Sequence, residues 1–284
     1  MLSLSMPATD VKNTVHGLWI QGPLSSLEEL TIRSFLRQGY SFILWTYNQE
    51  PYSMPPGAIC KDAGEILDRS AVFSYRHKNQ FGHGQGSFAG FSDIFRYRLL
   101  YLYGGWWTDM DITCLRPLPT GTPYIFRTVK NQRQAVGNIM FCPQGSELMQ
   151  WCYETARKTI HPGNTDWLRP LQILNDGIQK FGLSSYLFSF TNADSWPLVT
   201  QYMTRHPSAG DFAAFHWMNE EFRRIGLTKH SFIENSFLQQ QMEAHGIEHD
   251  ILGGKEAFIY RLKTSLPYYI AINLRHLPSL VYHK

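Results

Sequence analysis

With 284 residues, 43% of them hydrophobic and 14% aromatic, the chain is long enough to bury one sizeable core and too apolar for large-scale disorder. Its 26 Lys and Arg against 23 Asp and Glu leave a formal charge of +3, too small to hold a nucleic acid, and no Lys/Arg stripe of the kind such binding needs is present. Cys60, Cys114, Cys142 and Cys152 show no C-x-x-C spacing, so reduced thiols are expected rather than a zinc site or a disulfide framework.

The first residues, Met1 to Pro7, carry neither a basic n-region nor an apolar h-region, and no segment reaches the roughly 18 apolar residues of a membrane span. A cytoplasmic protein is expected, with any membrane contact peripheral and on the inner face. Residues 15–20 form a short apolar run closed by the turn signal Gln21-Gly22-Pro23. Ser25 and Ser26 can cap a helix with Glu28 and Glu29 in its first turn and Leu27, Leu30, Phe35 and Leu36 at helical spacing. Residues 41–47 then read as a buried strand, which completes a βαβ opening and an α/β fold class.

Residues 51–90 are less regular, with a short helix expected around 61–68. The glycine-rich stretch Phe81-Gly82-His83-Gly84-Gln85-Gly86 lacks the lysine of a phosphate loop and the G-x-G-x-x-G spacing, and reads as a connector. A helix is expected from Ser92 to Tyr103, capped by Ser92, with Asp93 in its first turn and Gly104-Gly105 at its end. An extended segment from Trp106 to Ile112 follows, then strands near 123–128 and 137–142. Helices are expected near 146–160, 170–181, 195–205 and 234–245, and there is no internal repeat. The domain expectation is one unit over 1–250, with 251–284 as an extension packed on it.

The chemistry concentrates in Asp109-Met110-Asp111. In an extended chain, side chains at i and i+2 point to one face, so the two carboxylates project together and repel. A divalent cation relieves that conflict, and Mg²⁺ and Mn²⁺ commonly take one or two protein carboxylates plus substrate phosphates. The spacing alone is common by chance, and two solvated charges on a turn are the rival reading. Asp93 and Arg96 lie three apart on one helical face, as a ligand clamp or as a plain surface ion pair.

The run Ser92-Asp93-Ile94-Phe95-Arg96, then Tyr101-Leu102-Tyr103-Gly104-Gly105-Trp106-Trp107-Thr108-Asp109-Met110-Asp111, resembles the sugar-binding region of DXD-motif glycosyltransferases. The likeness is to the family-32 type, the initiating mannosyl- and α-1,4-glycosyltransferases, and more distantly to the large clostridial glucosylating toxins. His16-Gly17-Leu18-Trp19-Ile20-Gln21-Gly22 is similar to that family's opening strand, and His216-Trp217-Met218-Asn219-Glu220 to a late segment. Asn138, Arg169-Pro170 and Phe181-Gly182-Leu183 align more weakly, and the resemblance spans roughly residues 15–245. Two positions depart from the pattern: Trp107 stands where relatives more often have tyrosine, and Arg169 where they have glycine.

The resemblance implies a GT-A-type nucleotide-sugar-binding fold, a Rossmann-like mixed sheet flanked by helices, with helical additions. It implies Mn²⁺ or Mg²⁺ held by Asp111, with Asp109 on the ribose or a metal-bound water and His216 completing the metal shell or meeting the diphosphate. Asp93 and Arg96 would grip hydroxyls of the donor sugar, beside Ser92. Trp19 would stack on the nucleobase, the rival reading being a core tryptophan. Trp107, Asn138 and Asn219 complete the expected donor site, and Asp109, Asp111, Asp93 and Arg96 the catalytic set. The implied reaction is retaining transfer of a hexose or N-acetylhexosamine from a UDP-sugar donor to a glycan or glycolipid acceptor, in polysaccharide biosynthesis. A GDP-mannose donor, a metal-dependent hydrolase and a non-catalytic carbohydrate-binding protein are the alternatives. Nothing in the sequence indicates an oligomeric state.

Overall fold

The computed structural model describes residues 11–48, 54–82, 84–128, 133–208 and 210–265. The apolar run that opens the chain is β1 (Thr14–Trp19), followed by α1 (Ser26–Arg37) and β2 (Ser41–Thr46). The Glu28 carboxylate accepts from the backbone N–H of Ser25 at 2.8 Å, so the helix starts where the sequence pattern places it. β2 pairs with β1 in parallel over six residues, the βαβ opening expected of this pattern. Its side chains alternate: Phe42 and Leu44 pack with Ile32 and Phe35 of α1, while Ile43 and Trp45 join the core on the other face.

After β3 (Ile59–Asp62) come α2 (Ala89–Tyr103), β4 (Gly105–Thr108), β5 (Ile112–Cys114), β6 (Ile125–Thr128) and β7 (Ala135–Cys142). α3 (Glu147–Thr159), α4 (Arg169–Lys180), β8 (Leu187–Phe188), α5 (Trp196–Thr204) and β9 (Ala214–His216) follow. The chain continues through α6 (Asn219–Ile225), β10 (Ser231–Ile233), α7 (Phe237–Ala244), β11 (Asp250–Leu252) and α8 (Gly254–Lys263). The fold is a mixed α/β arrangement around a seven-stranded sheet in the order β3-β2-β1-β4-β7-β6-β8. The β3-β2-β1-β4 half is parallel; β7 runs antiparallel to both β4 and β6, and β8 is parallel to β6. Helices α2, α3 and α4 cover one face and α1 the other. Behind α1, Leu27 and Leu30 meet Trp196, Trp217, Phe222 and Leu238 in a second apolar layer.

Two expectations are corrected. The helix around 61–68 is instead strand β3 followed by a short 3-10 turn at Ala63–Glu65. Pairing with the free edge of β2 overrides local propensity, and Asp62 Oδ1 caps the turn by accepting from Gly64 N at 2.8 Å. Helix α2 begins at Ala89, so Ser92 is already inside it, its N–H bonded to Phe88 O at 2.9 Å, and Asp93 lies in the second turn. Gly90, in the first turn of α2, is used for close approach: a side chain there would strike the Tyr75 hydroxyl.

All four cysteines are free thiols. Residues 251–265 of the extension are stitched to the body: β11 pairs with β10, Tyr260 is buried beside Phe232, Arg261 Nη1 donates to Thr204 O at 3.0 Å and Lys263 Nζ to Gly226 O at 3.0 Å. The rest of the extension, 266–284, and His83 of the glycine-rich stretch lie outside the described residues. Among the described residues no helix is long and apolar enough to cross a membrane.

Candidate active site

The strand order reverses direction between β1 and β4, and the carboxyl ends of these two strands open onto a cleft of about 900 Å³. Ligands of open α/β sheets bind at such a switch point. Trp19 ends β1, and Asp109 is the first residue beyond β4. The backbone N–H of Asp109 donates to Asn138 O at 2.7 Å, which carries the β4–β7 ladder one step further. The chain then turns through Met110 and Asp111 into β5, which pairs with β9 in a separate ribbon. The expected straight extended segment from 106 to 112 is therefore broken between two sheets. Met110 turns back against β1, where a Cβ on Gly17 would meet its sulfur at 2.6 Å; only glycine leaves the room.

Both carboxylates nevertheless line the cleft. Asp109 Oδ1 accepts from Trp107 Nε1 at 2.8 Å and lies 3.6 Å from Arg96 Nη1. Burial raises the Asp109 carboxyl above its ordinary range; Arg96 opposes this and the neighbouring Asp111 charge adds to it. Asp111 Oδ2 accepts from the backbone N–H of Asn219 at 2.7 Å and faces His216 Nε2 at 3.3 Å. Burial would raise Asp111 as well, but His216 and the Asn219 amide outweigh it and hold this carboxyl low. Met218, at φ 59°, adopts the left-handed conformation just before Asn219, a strained turn that sets the Asn219 amide toward the cleft.

Asp93 and Arg96 form a buried ion pair on one face of α2, and Arg96 also donates to Gly137 O on β7. Ser92 lines the same cleft, half-buried. Three buried polar atoms of this lining lack any protein partner: Arg96 Nε, Asn138 Nδ2 and Asn219 Oδ1. Groups of this kind are satisfied by ligand or water. Trp19 is half-buried at the other end, its Nε1 donating to Gly22 O at 2.9 Å, with Lys229 Nζ 5.7 Å from the ring centre. It is not a core tryptophan.

Trp107 is 1% exposed, and its indole supports Asp109 from the wall of the cleft. His216, expected among the metal ligands, stands between two carboxylates, with Nδ1 2.7 Å from Asp194 Oδ1 and Nε2 toward Asp111. Burial alone would lower the imidazole, but Asp111 and Asp194 raise it to about 10. The two carboxylates thus favour the protonated ring. Asp194 in turn takes a two-pronged contact from Arg127, Nη1 to Oδ2 and Nη2 to Oδ1, both 2.8 Å; despite its own burial, His216 and Arg127 hold its carboxyl well below the usual range. Arg127 Nη1 also reaches Asn138 Oδ1 at 3.2 Å.

Sequence reading missed Arg127, Asp194 and Lys229. A charge inside the apolar strand Ile125–Thr128 was the one available signal, since a buried guanidinium demands partners. For a divalent cation, Asp109 Oδ2 and Asp111 Oδ1 have no hydrogen bond among the described residues. Among the described residues no three His, Cys, Asp or Glu side chains form a metal cage. The donor set fits a cation held by two carboxylates and completed by ligand oxygens.

Residues 28–133 match the family model described as a glycosyltransferase sugar-binding region containing a DXD motif. The span takes in α2 and both aspartates but neither β1 nor the His216 segment. Among solved structures, the chain is similar to one described as PaToxG glycosyltransferase, at 12% identity and TM-score 0.45, over 60% of this chain and 70% of that one. It is also similar to a transferase mutant, at 9% identity and TM-score 0.40, over 62% of this chain and 87% of the other. No curated protein matches the chain.

Proposed function

We propose that the protein is a metal-dependent, retaining glycosyltransferase that moves a hexose or N-acetylhexosamine from a UDP-sugar to a hydroxyl of a glycan or glycolipid, a step of polysaccharide assembly. The observation that carries this reading is the meeting, in one cleft, of the Asp109/Asp111 carboxylates, the Asp93–Arg96 pair and the exposed face of Trp19. The nucleobase stacks on Trp19, with Lys229 beside it for the negative charge of the nucleotide. Asp93 accepts from sugar hydroxyls while Arg96, with its unpaired Nε, donates to them, and this orients the anomeric carbon. Asn138 Nδ2 and Asn219 Oδ1 supply one further donor and one further acceptor. Asp109 and Asp111 hold Mn²⁺ or Mg²⁺, which when bound offsets the charge that gathers on the diphosphate as the glycosidic bond breaks. His216, kept cationic by Asp111 and Asp194, adds a fixed positive charge on the same side.

The test is nucleotide release from a panel of nucleotide sugars with Mn²⁺ present. Release from a UDP-sugar, reduced at least about 100-fold in Asp111→Ala, is expected. Absence of release from every donor, or full activity in Asp111→Ala, overturns the proposal.

A further inference from the structure

Two exposed apolar side chains line the same cleft, Phe81 at 47% and Leu168 at 39% exposure, together with Trp167, the neighbour of Leu168 in sequence. They belong to two loops clasped together. Arg76 N donates to Pro162 O at 2.7 Å and Gln80 N to Thr165 O at 3.2 Å; Trp167 N donates to Gln80 Oε1 at 2.9 Å, and Gln80 Nε2 to Asp166 Oδ1 at 3.1 Å. The first loop is fastened to α6 as well, through Gly84 N to Glu220 Oε1 at 3.1 Å and Arg223 Nη1 to Gln85 O at 2.9 Å. A wall tied at both ends still leaves its largest apolar side chains in water. Such a patch, rimmed by polar groups inside a cleft, is the mark of a ligand surface.

The chemistry selects the ligand. A pyranose ring presents a flat C–H face and a rim of hydroxyls, and here Phe81, Trp167 and Leu168 face the cleft beside Glu220 and Arg223. Flat rings bury such a face at small entropic cost, and Glu220 and Arg223, paired with each other through Arg223 Nη2 to Glu220 Oε1 at 2.6 Å, form a polar rim for the hydroxyls. We infer that Phe81, Trp167 and Leu168 form a saccharide subsite, distinct from the donor residues at Trp19, and that it receives a sugar ring of the acceptor. The word acceptor rests on the proposed function; the saccharide contact does not.

The test is saturation-transfer NMR titration of the full chain with methyl glycosides of glucose, galactose and N-acetylglucosamine, without nucleotide sugar. At least one glycoside binds, and Phe81→Ala and Leu168→Ala each weaken it about 3- to 10-fold. Phe81→Trp retains binding, and Ile59→Ala, an exposed apolar side chain on β3 away from the cleft, leaves it unchanged. Absence of binding by any of these glycosides, or equal affinity in Phe81→Ala, Leu168→Ala and the parent, overturns the inference. Nucleotide release is scored separately. Its failure overturns glycosyl transfer while glycoside binding sustains the subsite; release together with unaltered binding in the two alanine variants overturns the subsite alone.

Discussion

The indole of Trp107 donates to Asp109 Oδ1 at 2.8 Å, so the first carboxylate of the D-x-D hangs from a ring buried in the sheet. Trp107→Phe removes the donor and trims a core side chain. A loss of about 1–3 kcal/mol in urea denaturation is expected, together with a higher Mn²⁺ requirement for nucleotide release. A double-mutant cycle with Asp109→Ala isolates the bond. Coupling below about 0.3 kcal/mol would mean that the indole contributes volume alone.

Arg127 is fully buried and its guanidinium serves Asp194, Asn192, Thr191 and Asn138 at once. Arg127→Met leaves Asp194 without its main partner, and a loss of about 3–5 kcal/mol is expected. Arg127→Lys does not restore it, because an ammonium cannot make the two-pronged contact. Equal denaturation midpoints for parent and lysine variant would contradict this account.

Lys229 connects the fold to the cleft. Its Nζ is 2.7 Å from Oε1 of Glu28, a residue with no exposed surface, and it leans over Trp19. Lys229→Met strands that carboxylate and is expected to lower stability by about 1–3 kcal/mol and to weaken UDP binding. Adding Glu28→Gln restores part of the stability but not the nucleotide affinity. Calorimetric titration with UDP separates the two effects, and joint recovery would show that Lys229 acts on structure only.

His16 lies on β1, 2% exposed, with Nδ1 accepting from Trp45 Nε1 at 3.2 Å. Burial lowers it to about 3, helped by Lys61 and opposed by a hydrogen bond with the Gly104 backbone. Above the ordinary value of 6.5 the ring is neutral in both folded and unfolded chains, and pH has no effect through it. Below that value the unfolded chain takes up a proton that the folded chain refuses. Stability therefore falls as pH drops from 6.5 toward 3, at up to about 1.4 kcal/mol per pH unit. His16→Asn keeps an acceptor for Trp45 and flattens this part of the curve. An unchanged slope in urea titrations from pH 7 to pH 4 would place the dependence elsewhere.

What the sequence makes legible is local. Ser92 to Asp111 is one contiguous run, so Asp93, Arg96 and the two aspartates could be read together, and α1 with its flanking strands shows a clean period. The start of α2 lies upstream of the expected Ser92 cap, because a serine that can cap gives no sign that the helix already runs from Ala89, where Gly90 packs under Tyr75. Strands of two or three residues such as β5, β8 and β9 carry no measurable alternation. Arg127 and Asp194 meet only because β6 pairs with β8, a contact no local pattern announces. The turn at Met110 escaped for the same reason: Asp111 O accepts from Trp217 N at 2.9 Å, from a distant part of the chain. Those long-range bonds also set the role of His216, which two carboxylates together turn into a cation.

The D-x-D residues are the covalent seam between the seven-stranded sheet and the β5–β9 ribbon. A ligand that grips Asp109 and Asp111 therefore acts as a rivet through two plates. Its binding should stiffen both, and amide hydrogen exchange should slow along β9 as well as β4, because β9 pairs with β5 and its last residue, His216, faces Asp111.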